Sequence, residues 1–178
     1  MLLKDMAEII FSFPEKGPAD DTKWIYAACL QEDNKIIELK TECELSPSPE
    51  YKVQKGDIVV KRIQPQFVNY IAENIDAYIA QNLVIVRSNG TVNPKYLAYI
   101  LEMSLGKLYK DMTGSVLTAI NRKGFEELDI GELPPAQTQI AIGELWWLTK
   151  EKKKLYEALL EKEKQLLQYR LNINTRIK

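Results

Sequence analysis

Histidine is absent from the 178 residues of this sequence, and cysteine occurs only twice. Zinc sites that combine thiolate and imidazole ligands, and catalysis by a histidine base, are therefore excluded. Cys29 and Cys43 form no CxxC pair, and we interpret them as buried, reduced thiols. No apolar run approaches the roughly 20 residues that a membrane-spanning helix needs. The amino-terminal stretch contains Asp5 and Glu8 where a signal peptide would be uncharged, so we expect a cytoplasmic protein without a membrane partner.

Proline is also absent after Pro135, and glycine after Gly143. From Thr138 onward, apolar residues alternate at spacings of four and three, and Lys152 and Lys162 fill two further positions of this heptad pattern. The pattern predicts a single helix, capped by Thr138 and roughly 60 Å long at about 1.5 Å per residue. The residues predicted to form its contact seam are Leu145, Leu148, Leu155, Leu159, Leu166, Tyr169 and Ile173.

A bare amphipathic helix of this length is unstable in water. Because the sequence contains no second heptad segment, we expect the partner helix to come from another molecule. A helix that folds back on its own domain is the alternative.

Residues 1–137 have a different pattern, in which short apolar segments alternate with turn residues. Strands are predicted at 23–30, 57–63, 67–73 and 78–88, and a short strand is predicted at 115–120. Asn93 followed by Pro94 predicts the start of a helix, and residues 121–128 predict a helical turn. The sum is an α+β fold, in which a small strand-rich domain (1–137) is followed by one long coiled-coil helix (138–178). Pro134 and Pro135 hold the backbone extended between them.

Charge is distributed unevenly between the two parts. Nine Lys and Arg against five Glu give +4 from Thr138 onward, and 15 basic against 20 acidic residues give −5 before it. Bulk charge therefore does not predict a nucleic-acid partner for the domain, but two local clusters contain the residue types that contact DNA phosphates and base edges. The residues predicted to bind double-stranded DNA are Lys61, Arg62 and Gln64 at a strand end, and Lys107, Thr113, Gly114, Ser115, Asn121 and Arg122 at a helix end and the turn after it.

Signals for catalysis are weak. The tetrapeptide NPKY at 93–96 resembles a motif of amino-methyltransferases, but lysine replaces its second proline and no glycine-rich loop follows a strand. Asp57 with Lys61 would supply part of a metal nuclease site, although Gly56 and Asp57 are typical of a turn that enters a strand. The sequence favours a non-catalytic binding protein. A coiled-coil assembly protein without DNA binding and a fragment of a methyltransferase or nuclease remain alternatives.

Three segments in order carry a family resemblance: KGDIVVKRI, YIAQNLVIVRSNGTVNPKYLAYIL and MTGSVLTAINRKGFEELDIGELPPAQTQIAI. Together with the charged heptad helix, they resemble the target recognition domain and conserved spacer helix of type I restriction-modification specificity (S) subunits. The opening LLKDMAEII is similar to the usual start of such a domain. The family's usual member has two recognition domains and two antiparallel spacer helices. This sequence has one of each, and so resembles a half-length subunit or a one-domain fragment.

The resemblance implies a subunit that recognises DNA sequence for methyltransferase (M) and restriction (R) subunits and catalyses nothing itself. S-adenosylmethionine, ATP and Mg²⁺ would belong to those partners, and this chain would need no cofactor or metal. Two copies that pair their helices antiparallel would form a homodimer with the shape of a full-length subunit. That dimer would recognise a palindromic split target whose half-sites are separated by the helix length.

Overall fold

The computed structural model describes the backbone of residues 1–41, 43–111 and 119–176, and the side chains of 1–41, 43–105 and 119–171. Short strands dominate the first part of the chain, and a helix of 41 residues forms the last part. This arrangement confirms the predicted α+β fold. The strands are β1 (Ala7–Phe11), β2 (Trp24–Ile25), β3 (Leu30–Gln31), β4 (Lys35–Ile36), β5 (Ile58–Lys61), β6 (Val68–Tyr70), β7 (Tyr78–Ile79) and β8 (Leu83–Ser88), and the helices are α1 (Pro94–Asp111), α2 (Arg122–Glu126) and α3 (Ala136–Arg176).

The main sheet has four antiparallel strands in the order β1-β8-β5-β6. Its central strands are buried on both faces, because successive side chains point to opposite sides and both sides are covered. Ile58 and Val60 pack with α1 and α2 on one face, and Val59 packs with the small strand pairs on the other. Those pairs are β2 with β7, in parallel, and β3 with β4, in an antiparallel hairpin.

The strands predicted at 57–63 and 67–73 are present as the shorter β5 and β6, and two other predicted strands are divided. The strand predicted at 115–120 lies mostly outside the described residues. The segment 78–88 divides into β7 and β8, because Asn82 adopts a left-handed backbone (φ 67°) at the turn between them. The segment 23–30 forms β2 and then a 3₁₀ turn, Ala27–Cys29. The helix start at Pro94 is as predicted, since Asn93 Oδ1 accepts bonds from the backbone N–H groups of Lys95 and Tyr96.

Helix α3 begins at Ala136, so the predicted start with a Thr138 cap was two residues late. The backbone N–H of Gln139 already donates to the Pro135 carbonyl, which places Thr138 inside the first turn. The first half of α3 packs across α1. Gly143 permits this close crossing, since a Cβ there would lie 2.7 Å from the backbone nitrogen of Tyr96.

The second half of α3 projects away from the domain. Each side chain from Leu155 to Leu171 is exposed. The alternative of a helix folded back on its own domain therefore accounts for only the first half. Among the described residues, none of the helices combines the length and the apolar composition that crossing a membrane requires.

Candidate nucleic-acid interface

Three segments of the chain meet at one end of the main sheet. After β1, the Ser12 N–H donates to the Leu83 carbonyl at the start of β8, and after β5 the Arg62 N–H donates to the Asn82 carbonyl. The Arg62 carbonyl in turn accepts a bond of 3.0 Å from the Ile120 N–H. The described part of the second predicted cluster, Asn121 and Arg122, thus directly follows a residue that is hydrogen-bonded to the end of β5.

Arg62 is the central cation of this surface. Its guanidinium carbon lies 5.8 Å from the centroid of the Phe13 ring, which is 61% exposed. The Nε of Arg62 is buried and has no hydrogen-bond partner among the described residues. A planar donor group stacked on an exposed aromatic ring presents both an apolar and a charged face, the combination that contacts nucleic-acid bases and phosphates.

Lys61 lies on the other face of the sheet from Arg62. Its ammonium group is 4.9 Å from the centroid of the Phe67 ring, and burial lowers the pKa of Lys61. Gln64 is exposed in the loop after β5, and its backbone is left-handed with φ 50°. Asn82 shares this unusual conformation at the same end of the sheet, and such residues concentrate at functional sites.

Asn121 and Arg122 have structural contacts in addition to their predicted role. The Asn121 Oδ1 accepts a bond of 2.8 Å from the Gly124 N–H and thereby caps α2. Arg122 donates from Nη1 to the Ile9 carbonyl at 3.0 Å, and its guanidinium carbon lies 5.0 Å from the Phe11 ring centroid. These contacts hold α2 against β1, and the Arg122 side chain is still 57% exposed.

Four predicted contact residues cannot be placed at the same detail. Thr113, Gly114 and Ser115 lie outside the described residues, and Lys107 lies in α1 with its side chain outside them. Their role stays a prediction, as does that of the five residues above. Ala119, the first described residue after this gap, bridges to Ile63 at this end of the sheet.

Phe13 is the neighbour that the sequence analysis missed. The alternation Ile9, Phe11, Phe13 predicts three side chains on one buried face of a strand. The structure buries Ile9 and Phe11 and leaves Phe13 exposed, because β1 ends at Phe11 and Pro14 follows. An exposed aromatic beside Arg62 becomes visible only when the end of the sheet is known.

The alternative metal site at Asp57 is explained by packing. This carboxylate is buried, and it accepts bonds from Arg87 Nε at 2.8 Å, from Arg87 Nη2 at 2.9 Å and from the Gln54 N–H at 2.7 Å. The contact raises the pKa of Arg87 and fixes the turn that enters β5. Within the described ranges, no group of three or more acidic or cysteine side chains is placed to hold a metal ion.

The predicted seam of α3 is exposed along its described length. Leu145, Leu148, Leu155, Leu159, Leu166 and Tyr169 are each more than 50% exposed, and the Ile173 side chain lies outside the described residues. From the helical period, these residues lie roughly opposite the stripe that faces the domain. The members of that stripe are Gln139, Gly143, Trp146, Lys150, Lys153 and Glu157.

Neither a protein-family model nor a curated protein matches this chain, whereas several solved structures are similar to it. The S subunit of a type I restriction-modification system from M. genitalium is similar over 93% of this chain, with a TM-score of 0.64 and 14% identity. The HsdS subunit from Thermoanaerobacter tengcongensis is similar over 86% of it, with a TM-score of 0.58 and 17% identity. A chain from a structural study of complex assembly and conformational transition of the type I system covers 93%, with a TM-score of 0.60 and 18% identity.

These neighbours confirm the resemblance to type I S subunits at the level of the fold. The present chain spans 42%, 37% and 42% of the three neighbouring chains, which is about two fifths of their length. It therefore corresponds in extent to less than half of each of them.

Proposed function

We propose that this chain is a DNA recognition subunit of a type I restriction-modification system, with its strand-rich domain as one target recognition domain and α3 as its spacer helix. The observation that supports the proposal most is the structural similarity to S subunits over 93% of the chain. The position of Arg62 beside the exposed Phe13 ring at one end of the main sheet supports it independently.

The end of the sheet that carries Phe13, Arg62 and Gln64 is the proposed contact with double-stranded DNA. Because the domain as a whole is acidic, attraction to DNA would come from local cations such as Arg62, Lys107 and Arg122. Phosphate contacts by arginine and lysine make such binding fall steeply with salt concentration.

A binding measurement tests this role. Duplexes selected from a randomised library with two half-sites are titrated with the chain, alone and with cognate M subunits, at low and physiological salt. Arg62→Ala should weaken binding by about tenfold or more. Lys55→Ala is the matched control, since this exposed lysine precedes β5 at the opposite end of the sheet.

The possible outcomes separate the alternatives. If the wild-type protein binds no duplex even at low salt, the alternative of a coiled-coil assembly protein without a DNA role is favoured. If Arg62→Ala and Lys55→Ala lose the same amount of DNA affinity, the DNA contacts a different surface of the domain. Cleavage or methylation of DNA by the chain without added subunits would contradict the proposed non-catalytic role.

The proposed assembly uses two faces of α3. Antiparallel pairing of two copies along the exposed seam gives a homodimer and a palindromic split target. The domain-facing stripe continues past Glu157 with exposed Leu160 and Leu167, and Tyr156 lies beside it. Like the domain-facing stripe that it continues, this second apolar face lies more than about 100° around the helix from the seam, so pairing along the seam would leave it uncovered.

We assign this second face to the M subunits. These partners and the R subunit would supply S-adenosylmethionine, ATP and Mg²⁺ chemistry in the cytoplasm, and this chain would determine where they act.

A further inference from the structure

The β3–β4 hairpin connects the main sheet with α3. Its two strands pair Leu30 with Ile36 and Gln31 with Lys35, which leaves a three-residue tip. Asp33 and Asn34 in the tip both have left-handed backbones, with φ of 58° and 59°. Asp and Asn tolerate this conformation better than other residues with a side chain. The tip is therefore specified by its sequence.

Two buried asparagines hold the hairpin against β6, the edge strand of the main sheet. The Asn34 side chain pairs with both backbone groups of Tyr70: its Nδ2 donates to the carbonyl at 2.9 Å, and its Oδ1 accepts from the N–H. From the other side, Asn69 Nδ2 donates to the carbonyls of Gln31 and Lys35, at 3.0 and 3.3 Å. Hydrogen bonds made by buried side-chain amides are costly to break, so the hairpin has one position on the sheet.

The tip of this immobilised hairpin meets α3. Asp33 forms an ion pair with Lys153, and Lys35 Nζ lies 3.5 Å from Glu157 Oε2. Lys153 and Glu157 are one turn apart on α3 and so present opposite charges to the hairpin side by side. The hydrogen bond with Asp33 raises the pKa of Lys153. Asp33 is only 12% exposed, which protects the pair partly from solvent screening.

A second support holds α3 nearer to its start. Trp146 is buried and donates from Nε1 to Glu102 at 2.8 Å, and Lys150 pairs with the other oxygen of that carboxylate at 2.7 Å. Gly143 lies against the first turn of α1. The contacts with α1 run from Gly143 to Lys150 and those with the hairpin from Lys153 to Glu157, so the hairpin lengthens the supported part of α3 by about 7 residues, or about 10 Å.

A longer supported stretch restricts the tilt of a rod more tightly than a shorter one. From Gly143 to Arg176, α3 extends for about 50 Å. A tilt of about 10° around the first support would move the far end by about 9 Å. This displacement exceeds two base pairs of DNA at about 3.4 Å each.

We propose that the end of the hairpin, from Asp33 in the tip to Lys35 at the start of β4, fixes the direction in which α3 leaves the domain and thereby restricts the half-site spacing that the assembly accepts. The spacing part rests on the proposed function, whereas the direction of α3 is a property of the chain alone. Exposed ion pairs are individually weak. The two ion pairs between the hairpin and α3 start from a hairpin that the hydrogen bonds of buried asparagines already immobilise.

Distances between two spin labels test the direction of α3. Nitroxides are attached at Gln81→Cys in the domain and Gln168→Cys on α3, both exposed positions, in a Cys43→Ser background. Cys29 is 3% exposed and is retained. An excess of unlabelled protein removes distances between two labelled copies.

The double variant Asp33→Asn with Glu157→Gln removes both ion pairs and keeps a residue that tolerates the left-handed tip. The distance distribution should widen by about 5–10 Å. Exchanging charges, with Lys35→Glu and Glu157→Lys together, should restore a narrow distribution that Lys35→Glu alone loses. Lys162→Gln with Glu163→Gln, which removes one charge of each sign beyond the hairpin, should leave the width unchanged. An unchanged width in the double variant would overturn the proposal.

A second measurement tests the spacing. Duplexes whose half-sites are moved apart or together by one and two base pairs are bound by wild-type protein and by the double variant, each with M subunits. The variant should accept neighbouring spacings that the wild type rejects by tenfold or more. If the double variant shows a wider distribution of label distances but selects the same half-site spacing as the wild type, the hairpin does not contribute to the choice of target. Absence of DNA binding by the wild type would instead contradict the proposed function, and the label distances would still decide the direction of α3.

Discussion

The two halves of α3 share one heptad seam but differ in the face opposite it, which packs on the domain in the first half and is exposed in the second. In residues 136–157, a second stripe at the same four-three spacing packs on the domain, and it consists of a glutamine, a glycine, a tryptophan and charged residues. In residues 158–176 the corresponding positions include Leu160 and Leu167, which are exposed. A heptad pattern thus identifies a helix but not what supports it. The residues between the seam positions show where the domain supports the helix and where another molecule must.

The largest effect is expected from charges in the seam. Leu155→Lys with Leu159→Lys should abolish the proposed dimer, because four leucines per dimer lose burial worth about 1.5–3 kcal/mol each. Solution mass from light scattering measures the change. Leu160→Lys with Leu167→Lys is the matched control on the second apolar face and should leave the dimer intact. A monomeric wild type would mean that the seam has a different partner.

Removal of the buried indole should be next in size. Trp146→Ala should lower the free energy of unfolding by about 3–5 kcal/mol, since it opens a cavity and leaves Glu102 without its N–H donor. Tyr156→Ala, which truncates an exposed aromatic nearly three turns further along, should cost about 0.5 kcal/mol or less. Chemical denaturation of both variants gives the comparison. Similar losses would show that the two halves of α3 are equally supported.

Gly143 offers a test in which two effects have opposite signs. An alanine in a helix interior is more favourable than glycine by about 1 kcal/mol. Here the new Cβ would lie 2.7 Å from the Tyr96 nitrogen and 2.9 Å from the Lys95 Cβ, so α3 must shift. Overpacking of this kind costs about 1–3 kcal/mol. Gly143→Ala should therefore destabilise the protein in denaturation experiments, and a stabilised variant would show that α3 does not pack closely on α1.

Strands β5, β6 and β8 of the main sheet and the start of α1 were predictable because local signals agree there. Val59 and Val60 are apolar and β-branched, and the Asn93 side chain caps the helix that Pro94 begins. The start of α3 was misplaced because a carbonyl of Pro135, not the Thr138 hydroxyl, receives the first helical bond. The residue types at 134–138 alone do not show at which residue the first hydrogen bond of the helix forms.

The candidate site was less predictable than the fold. Lys61 and Arg62 are neighbours in sequence and lie on opposite faces of the sheet, since strand residues alternate. Phe13 joins Arg62 only through the pairing of β1, β8 and β5. The domain-facing stripe of α3, in contrast, was present in the sequence at regular spacing. Its single glycine and its tryptophan are the signal that one side of this helix packs on its own domain.

The smallest expected difference separates two charges on the same helix. Glu144 accepts two bonds from Lys95 Nζ, at 2.7 and 2.8 Å, across the crossing of α3 and α1. Glu161 lies on the exposed half, where its carboxylate accepts from Gln165 at 3.3 Å within the helix. Glu144→Gln should cost up to about 1 kcal/mol, and Glu161→Gln should be nearly neutral, because exposed ion pairs contribute little. Hydrogen exchange of the α3 amides at 0.1 M and 1 M salt resolves the difference, since salt should remove the effect of Glu144→Gln. An equal response of both halves to salt would mean that apolar contacts and the buried Gln139 and Trp146, without the surface charges, hold the first half of α3 on its domain.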